Sequence, residues 1–428
     1  MKTDRSLIIK RGMTMRAGRE IQQPKRNYRT FKILLILILV LIIAIAAAAA
    51  YSYKSAKDSL DISFTEKTPQ VEAGGEYAAM DFVKDSEGEV VPSAEFLNAE
   101  KTGSKEMVYT VSKPVLGGLM TASEEYTLAY NVVDTVAPLI LWNGDGSVLQ
   151  RYEKFDINDV IGYGDNADPQ PSIEIDGEVK MTRLGKYPLH VKITDASGNS
   201  TEADLTVEVA DTVPVYTDDS PRTQFADFVS SYKGDGRSFG IDVSTWQGDV
   251  DFDAVKKAGC EFVIIRIGYS ADGKIEKDSK FEQNYENARA AGLKTGIYLY
   301  SYDNSEKEVR ASADQIIEIL GDEAPDLPVV FDWEDFGQFQ TYKMSFAGLN
   351  SLYDAFADQL SSAGYDCMLY GNKNSLEKVW DDTDTRPVWL AHYTDKTDYK
   401  GPYVMWQASQ TGNIDGIDGD VDMDILYE

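Results

Sequence analysis

Three kinds of hydrophobic spacing follow one another along this chain. The first is unbroken: Ile33 to Ala50 is a run of 18 apolar residues, which as a helix would extend about 27 Å, close to the roughly 30 Å hydrocarbon core of a bilayer. The second, from Ser52 to about Pro221, is a series of short alternating runs broken by Gly, Pro, Asp and Asn, the pattern of strands in all-β sandwich modules. Two modules are expected. Gly103 to Val111 alternates as Gly185 to Ile193 does, and similar tails close both, Val133-Asp134-Thr135-Val136-Ala137-Pro138 and Ala210-Asp211-Thr212-Val213-Pro214. In the third regime, from Phe239 onward, β-like runs alternate with helical segments. Strands are predicted at Phe239 to Val243, Phe262 to Ile267, Lys294 to Tyr300, Val329 to Trp333, Met368 to Tyr370, Val388 to Ala391, Val404 to Gln407 and Val421 to Leu426. Ser279-Lys280-Phe281-Glu282 and Ser305-Glu306-Lys307-Glu308 read as capping boxes that open helices between them. Such alternation predicts parallel strands with crossovers, and eight of them suggest a closed α/β barrel. Helical signal thins after Val379, so the last three strands are expected to be joined by short loops.

The expected partition is therefore a basic tail (1–32), a transmembrane helix (33–51), two sandwich modules (52–134 and 135–211), a polar linker (212–238) and a barrel (239–428). Charge sharpens it. The formal net charge is −29, yet the first 32 residues hold ten Lys and Arg against only Asp4 and Glu20. A cationic flank before the apolar run places the amino terminus in the cytoplasm and the acidic remainder outside the membrane. The rival reading is a cleaved secretory signal, suggested by the small residues Ala46 to Ala50, although 32 preceding residues are long for a signal n-region. An acidic body argues against nucleic acid, whose phosphates require basic patches. With only Cys260 and Cys367, no disulfide scaffold is expected, and the two thiols are read as unpaired.

Candidate chemistry gathers in the third regime. In Val329-Val330-Phe331-Asp332-Trp333-Glu334 two acids stand at i and i+2 on a strand, on one face with Cα atoms about 7 Å apart, as an acid and a charged partner flanking one glycosidic bond would. Active sites of parallel barrels lie at the carboxyl ends of the strands. Asp242 ends the first predicted strand there, and Asp422 lies on the last, with Asp420 and Asp424 beside it. Arg266, within an apolar strand, is expected either to pair with one of these carboxylates and keep it ionised or to make a structural ion pair. Tyr298, Tyr300, Trp389, Tyr393 and Trp406 are candidate rings for sugar faces. The two histidines, His190 and His392, are far apart and no Cys/His cluster exists, so no catalytic metal or cofactor is expected. Asp195-Ala196-Ser197-Gly198-Asn199 lacks the ligand spacing of a calcium loop. That segment reads as a tight turn in a spacer module.

These residues resemble a known family. Phe239 to Gly248, Phe262 to Arg266, Gly296-Ile297-Tyr298, Asp332-Trp333-Glu334, Trp389 to Tyr393, Trp406-Gln407 and Val421-Asp422 are similar, in order and spacing, to the lysozymes of glycoside hydrolase family 25. The resemblance implies an irregular TIM-like (β/α)5(β)3 barrel. It also implies an N-acetylmuramidase that cuts the β-1,4 bond between N-acetylmuramic acid and N-acetylglucosamine in peptidoglycan. By it Glu334 is the general acid, and Asp332 either steers a substrate acetamido group or stabilises charge. Asp242 and Asp422 are the remaining acids, while Gln407 joins Arg266 and the five rings as substrate-binding candidates. Residues 135–211 resemble bacterial immunoglobulin-like repeats, and 52–134 do so more loosely. A membrane-anchored wall hydrolase is thus expected, set against an inactive wall-binding scaffold or a hydrolase of another N-acetylated glucan such as chitin. The chitinase pattern has an additional Asp where Val330 stands.

Overall fold

A computed structural model describes residues 28–215, 221–321, 324–381 and 383–427. The expected basic tail lies outside the described residues up to position 27, as does the linker at 216–220. Helix α1, Tyr28–Lys57, has no buried residue and is long and apolar enough to cross a membrane. It extends beyond the expected 33–51 at both ends.

Two compact units partition the chain. One comprises α1 to Phe64, Val83–Ser93 and Val108–Tyr126; the other comprises Thr65–Phe82, Ala94–Met107 and Thr127 onward. The span expected as one first module, 52–134, is thus divided between them. Within the first unit Ile62–Phe64 pairs antiparallel with Val83–Ser86, and Glu89–Pro92 with the strand at 109–112. Within the second unit, 139–210 form mostly antiparallel strands. Ser172–Asp176, Gly185–Thr194 and Ser200–Ala210 pair in order, and Val148–Gln150 runs parallel to the last of these. Leu139–Asn143 pairs with Ile161–Gly164. The alternation seen in the sequence becomes an alternation of burial: Leu189, Val191 and Ile193 meet Leu205 and Val207 in one apolar cluster, while His190, on the opposite face, lies beside Asp204.

The eight predicted strands of the third regime are all present: β1 (Arg237–Val243), β2 (Phe262–Ala271), β3 (Lys294–Ser301), β4 (Val329–Asp332), β5 (Cys367–Asn372), β6 (Val388–Ala391), β7 (Met405–Asn413) and β8 (Val421–Tyr427). Strands β1 to β7 pair in parallel, each with the next. Strand β8 differs from expectation. It is antiparallel to both β7 and β1 and closes the ring, because the link at 414–420 is shorter than the crossover of about a dozen residues that a parallel neighbour requires. Helices α3 (Phe252–Lys257), α4 (Phe281–Ala290), α5 (Glu306–Leu320), α6 (Phe346–Ser362) and α7 (Lys373–Lys378) follow β1 to β5 in turn, and no helix follows β6 or β7.

The expected linker also proves structured. Helix α2, Phe225–Tyr232, buries Phe225 and Phe228 in the outer core of the barrel against Phe239, and Tyr232 packs edge-on to Trp406. The capping boxes at Ser279 and Ser305 do not form, since neither α4 nor α5 has a side-chain cap and the Ser279 hydroxyl bonds Thr245 instead. Cys260 is buried and Cys367 half-buried, both free, as expected; burial pushes the Cys260 thiol up to about 12.

Candidate active site

Strict alternation along β4 builds the centre of the site. Val329 and Phe331 point outward into the helical layer, where Phe331 meets Tyr353, Phe356 and Trp380. Val330 points inward, into a plug with Phe262, Ile264, Met368, Tyr370, Trp389 and Met405. Asp332 takes the next inward position, opposite Tyr300 on β3 and Tyr370 on β5. The ladder ends there, but the alternation persists for two more residues. Trp333 is fully buried among Phe336, Phe339 and Tyr342 and donates its indole N–H to the Asp303 carbonyl at 3.2 Å. That anchor turns Glu334 back to the rim, where it lines a cavity of about 610 Å³ with Tyr370, Asn372, Lys373, His392 and Tyr393.

The antiparallel closure brings further acids to the same rim. Asp242, near the carboxyl end of β1, stands opposite Asp422, near the amino end of β8, so the reversed strand presents its start where the others present their ends. Gln407 on β7 ties the two together, donating from Nε2 to Asp242 at 2.7 Å and to Asp422 at 3.3 Å. Its carbonyl oxygen accepts the hydroxyls of Tyr370 at 2.8 Å and Tyr393 at 2.9 Å. One level deeper, fully buried Asp424 accepts the indole N–H of Trp389 at 2.9 Å. It lies beside Gly240, where a side chain would run into the ring of Phe262.

Carboxyls crowded under an apolar floor resist ionisation. Burial, then the charge of Asp242, pushes Glu334 up to about 7. Asp422 is pushed up to about 8 by burial, then by Asp242 and Glu334. Asp332 and Asp424 are held well above the ordinary carboxylate range, chiefly by burial and then by neighbouring acids. For Asp242, burial raises the value to about 6 while the Gln407 amide, Asp424 and Arg266 oppose it. Asp242 is thus the acid in this group whose negative charge is best supported, and its charge helps keep a proton on Glu334.

Several expected roles change. Arg266 pairs with Asp278 rather than with a rim acid, its Nε donating at 2.9 Å and Nη2 lying 2.7 Å from the same oxygen. Its guanidinium also covers Tyr269, at 4.3 Å from the ring centroid. Asp278 in turn accepts the backbone N–H groups of Thr245 and Lys280, so the ion pair braces loops at the mouth. Trp406 faces outward, buried against Tyr232, with its N–H on the His392 carbonyl. Trp389 is part of the buried plug, and Tyr298 packs beside it. Gln407 spends both its N–H and C=O groups on protein partners. Of the expected sugar-facing rings, Tyr393 alone is exposed, at 47%; Tyr300 is half-buried against Tyr269 and Tyr302.

Sequence reasoning left Tyr370 and Asp278 without roles and offered Asp424, with Asp420, only as an alternative to Asp422. Tyr370 stood in a predicted strand and alternation placed it inward. Asp278 carried no signal, lying beyond a hairpin from its partner. A further ring, Trp246, is 78% exposed on the turn after β1. Ser244 and Gln247 hold that turn by a reciprocal capping box.

Residues 241–417 match the family described as Glycosyl hydrolases family 25, a span that includes Asp242, Asp332, Glu334 and Gln407 and stops short of Asp422. The autolytic lysozyme of Clostridium acetobutylicum is 32% identical over 191 residues, 44% of this chain and 56% of that protein. Lysozyme M1 of Streptomyces globisporus is 31% identical over 196 residues, 43% of this chain and 65% of that protein. The chain therefore spans between about half and two thirds of the length of these relatives. A crystal structure of the bacterial lysozyme from Streptomyces coelicolor aligns at 24% identity with a TM-score of 0.35, covering 45% of this chain and 92% of that one.

Proposed function

We propose that the barrel, as a family 25 glycosyl hydrolase domain, cleaves the β-1,4 bond between N-acetylmuramic acid and N-acetylglucosamine in peptidoglycan. The observation that carries the reading is the placement of two inward acids at the end of β4. Glu334 opens onto the 610 Å³ cavity with its value pushed up to about 7, so it retains a proton to donate to the departing sugar oxygen. Asp332 stands behind it with Oδ1 buried and without a hydrogen-bond partner. That oxygen is a free acceptor for the N–H of a substrate acetamido group, whose carbonyl would then attack the anomeric carbon, a route that retains configuration. Asp242, held with Asp422 by Gln407, supplies the negative field around the oxocarbenium-like transition state. Tyr393 and Tyr300 offer ring surface to the sugars, and Gln407, Tyr370 and Trp389 hold the acids in place.

Around this chemistry, α1 is a single-pass anchor with its amino terminus in the cytoplasm, and the barrel faces the wall. The strands of 52–134 and 135–211 are immunoglobulin-like spacers between them. The relatives' names, an autolytic lysozyme and a lysozyme, support the wall as substrate.

The test uses the full chain in detergent micelles on purified peptidoglycan, with mass spectrometry of the released sugar ends. New reducing ends on N-acetylmuramic acid are expected, and Glu334→Gln should lower the rate on the order of 100- to 10,000-fold while the circular dichroism spectrum is kept. Reducing ends on N-acetylglucosamine, a preference for chitin oligomers, or full activity in the Gln variant would each overturn the proposal.

A further inference from the structure

Away from the barrel mouth, three loops of the second unit converge on a small acidic centre. Asp134 follows the strand Met120–Val133, Asp165 follows Ile161–Gly164, and Asp195 follows Gly185–Thr194. One carboxylate oxygen from each lies within 4.8 Å of the other two, with Asp165 and Asp195 buried and Asp134 half-exposed. Among the described residues no Lys, Arg or His forms an ion pair with any of the three.

The burial of Asp165 is the second, independent observation. It is 0% exposed, and its Oδ1 accepts the backbone N–H groups of Ala167 at 2.9 Å and Asp168 at 2.7 Å. Its Oδ2 is buried with no hydrogen-bond partner at all. Oδ1 is thus committed to the loop, and Oδ2 is the oxygen left for the cluster. A buried carboxylate oxygen that meets neither donor nor cation, beside two further carboxylates, is costly. The geometry points to the missing partner: we propose that Asp134, Asp165 and Asp195 are ligands of one divalent cation of the calcium class.

Chemistry and dimensions agree. Calcium takes six to eight oxygens at about 2.3–2.6 Å, so two ligands of one ion stand at most about 4.6–5.2 Å apart, and the three oxygens here all lie within 4.8 Å of one another. The donor set is all oxygen, which disfavours zinc and copper. Asp134, the least buried of the three, leaves an approach for the ion and for water ligands. Asp195 is already oriented: Asn199 donates its backbone N–H to Oδ1 and its side-chain amide to Oδ2, both at 2.9 Å, and the same amide reaches the Asp134 carbonyl at 3.1 Å. Burial and the neighbouring acids push Asp165 up to about 6, as expected of a ligand cluster without its counter-charge.

A cation here would fasten a node. The Asp165 carbonyl accepts the N–H of Phe346 at 2.8 Å, at the start of α6, and Asn166 donates its side-chain amide to the Ala73 carbonyl at 2.8 Å. The role is structural and independent of catalysis.

The experiment is equilibrium dialysis of the metal-free full chain in detergent micelles against radiolabelled calcium, with thermal unfolding alongside. One saturable site is expected, with a Kd on the order of 10⁻⁴–10⁻³ M, the range of extracellular modules. Calcium should raise the unfolding temperature by several degrees and magnesium by less. Asp165→Asn retains an oxygen for the Ala167 and Asp168 N–H groups, so it should fold and lose at least tenfold in calcium affinity. Asp195→Asn should lose as much, and it decides the matter should the first variant not fold. No saturable binding up to 10 mM calcium, or affinity unchanged in a folded variant, would overturn the proposal.

Discussion

At Glu334 the environment decides the chemistry. Its carboxyl is raised to about 7 by burial and by Asp242, so it is largely protonated below neutrality and loses its proton as pH rises through that value. A general acid works only while protonated. The pH profile of kcat/KM for peptidoglycan should therefore fall on its alkaline side near pH 7, reporting the free enzyme. Asp242→Asn removes the charge that, after burial, does most to raise Glu334, and it should move that limb to lower pH, measurable in a turbidity assay across pH 5 to 9. Asp332 and Glu334 were legible in the chain because an i, i+2 spacing at the end of an apolar strand leaves one inward face for both acids. Asp424 was not. Asp415, Asp418, Asp420, Asp422 and Asp424 look alike in sequence, and only the pairing of β8 with β1 beside Gly240, and the Trp389 indole, separates the buried one from the rest. The partner of Arg266 was equally hidden, since Asp278 lies across the hairpin of β2 and Lys274–Lys277.

At the scale of elements, strand positions were readable and strand direction was not. Each of the eight runs announced itself by apolar β-formers, but the reversal of β8 depends on the length of a loop. Helix α2 did leave a trace, Phe225, Phe228, Val229 and Tyr232 at helical spacing, masked by the polar residues before it. The turn Phe336–Tyr342, which backs Trp333, has no such signature because its shape is fixed from outside. The strand Ile161–Gly164 lies against it: Gln340 accepts the Tyr163 N–H at 3.1 Å and donates to the Ile161 carbonyl at 3.1 Å. A Cβ on Gly162 would stand 2.2 Å from the Phe336 carbonyl oxygen. Gly162→Ala must therefore push strand and turn apart. A loss of about 1–3 kcal/mol is expected from urea unfolding, with a lower kcat from the displaced backing of Trp333. Unchanged stability and kcat would show that this packing does not support the acid.

For the whole molecule, the apolar helix and the barrel that matches the family 25 model sit in one chain, and the proposed function joins them. The full chain should sediment with membranes and need detergent for release, whereas a chain lacking 33–51 should stay in the supernatant at high speed; recovery of both in the same fraction would remove the anchor. The second unit adds a constraint on how such a protein is built. Phe339, under Trp333, is fully buried, and a Cβ on Gly164 would stand 2.5 Å from its ring, so the strand Ile161–Gly164 completes the hydrophobic wall behind Glu334. Cutting the gene at residue 239 would leave that wall half finished. In evolutionary terms the wall behind Trp333 in this chain is shared property: a change on 139–165 and a change on 336–342 have to be accepted together for the packing at Gly162 and Gly164 to survive.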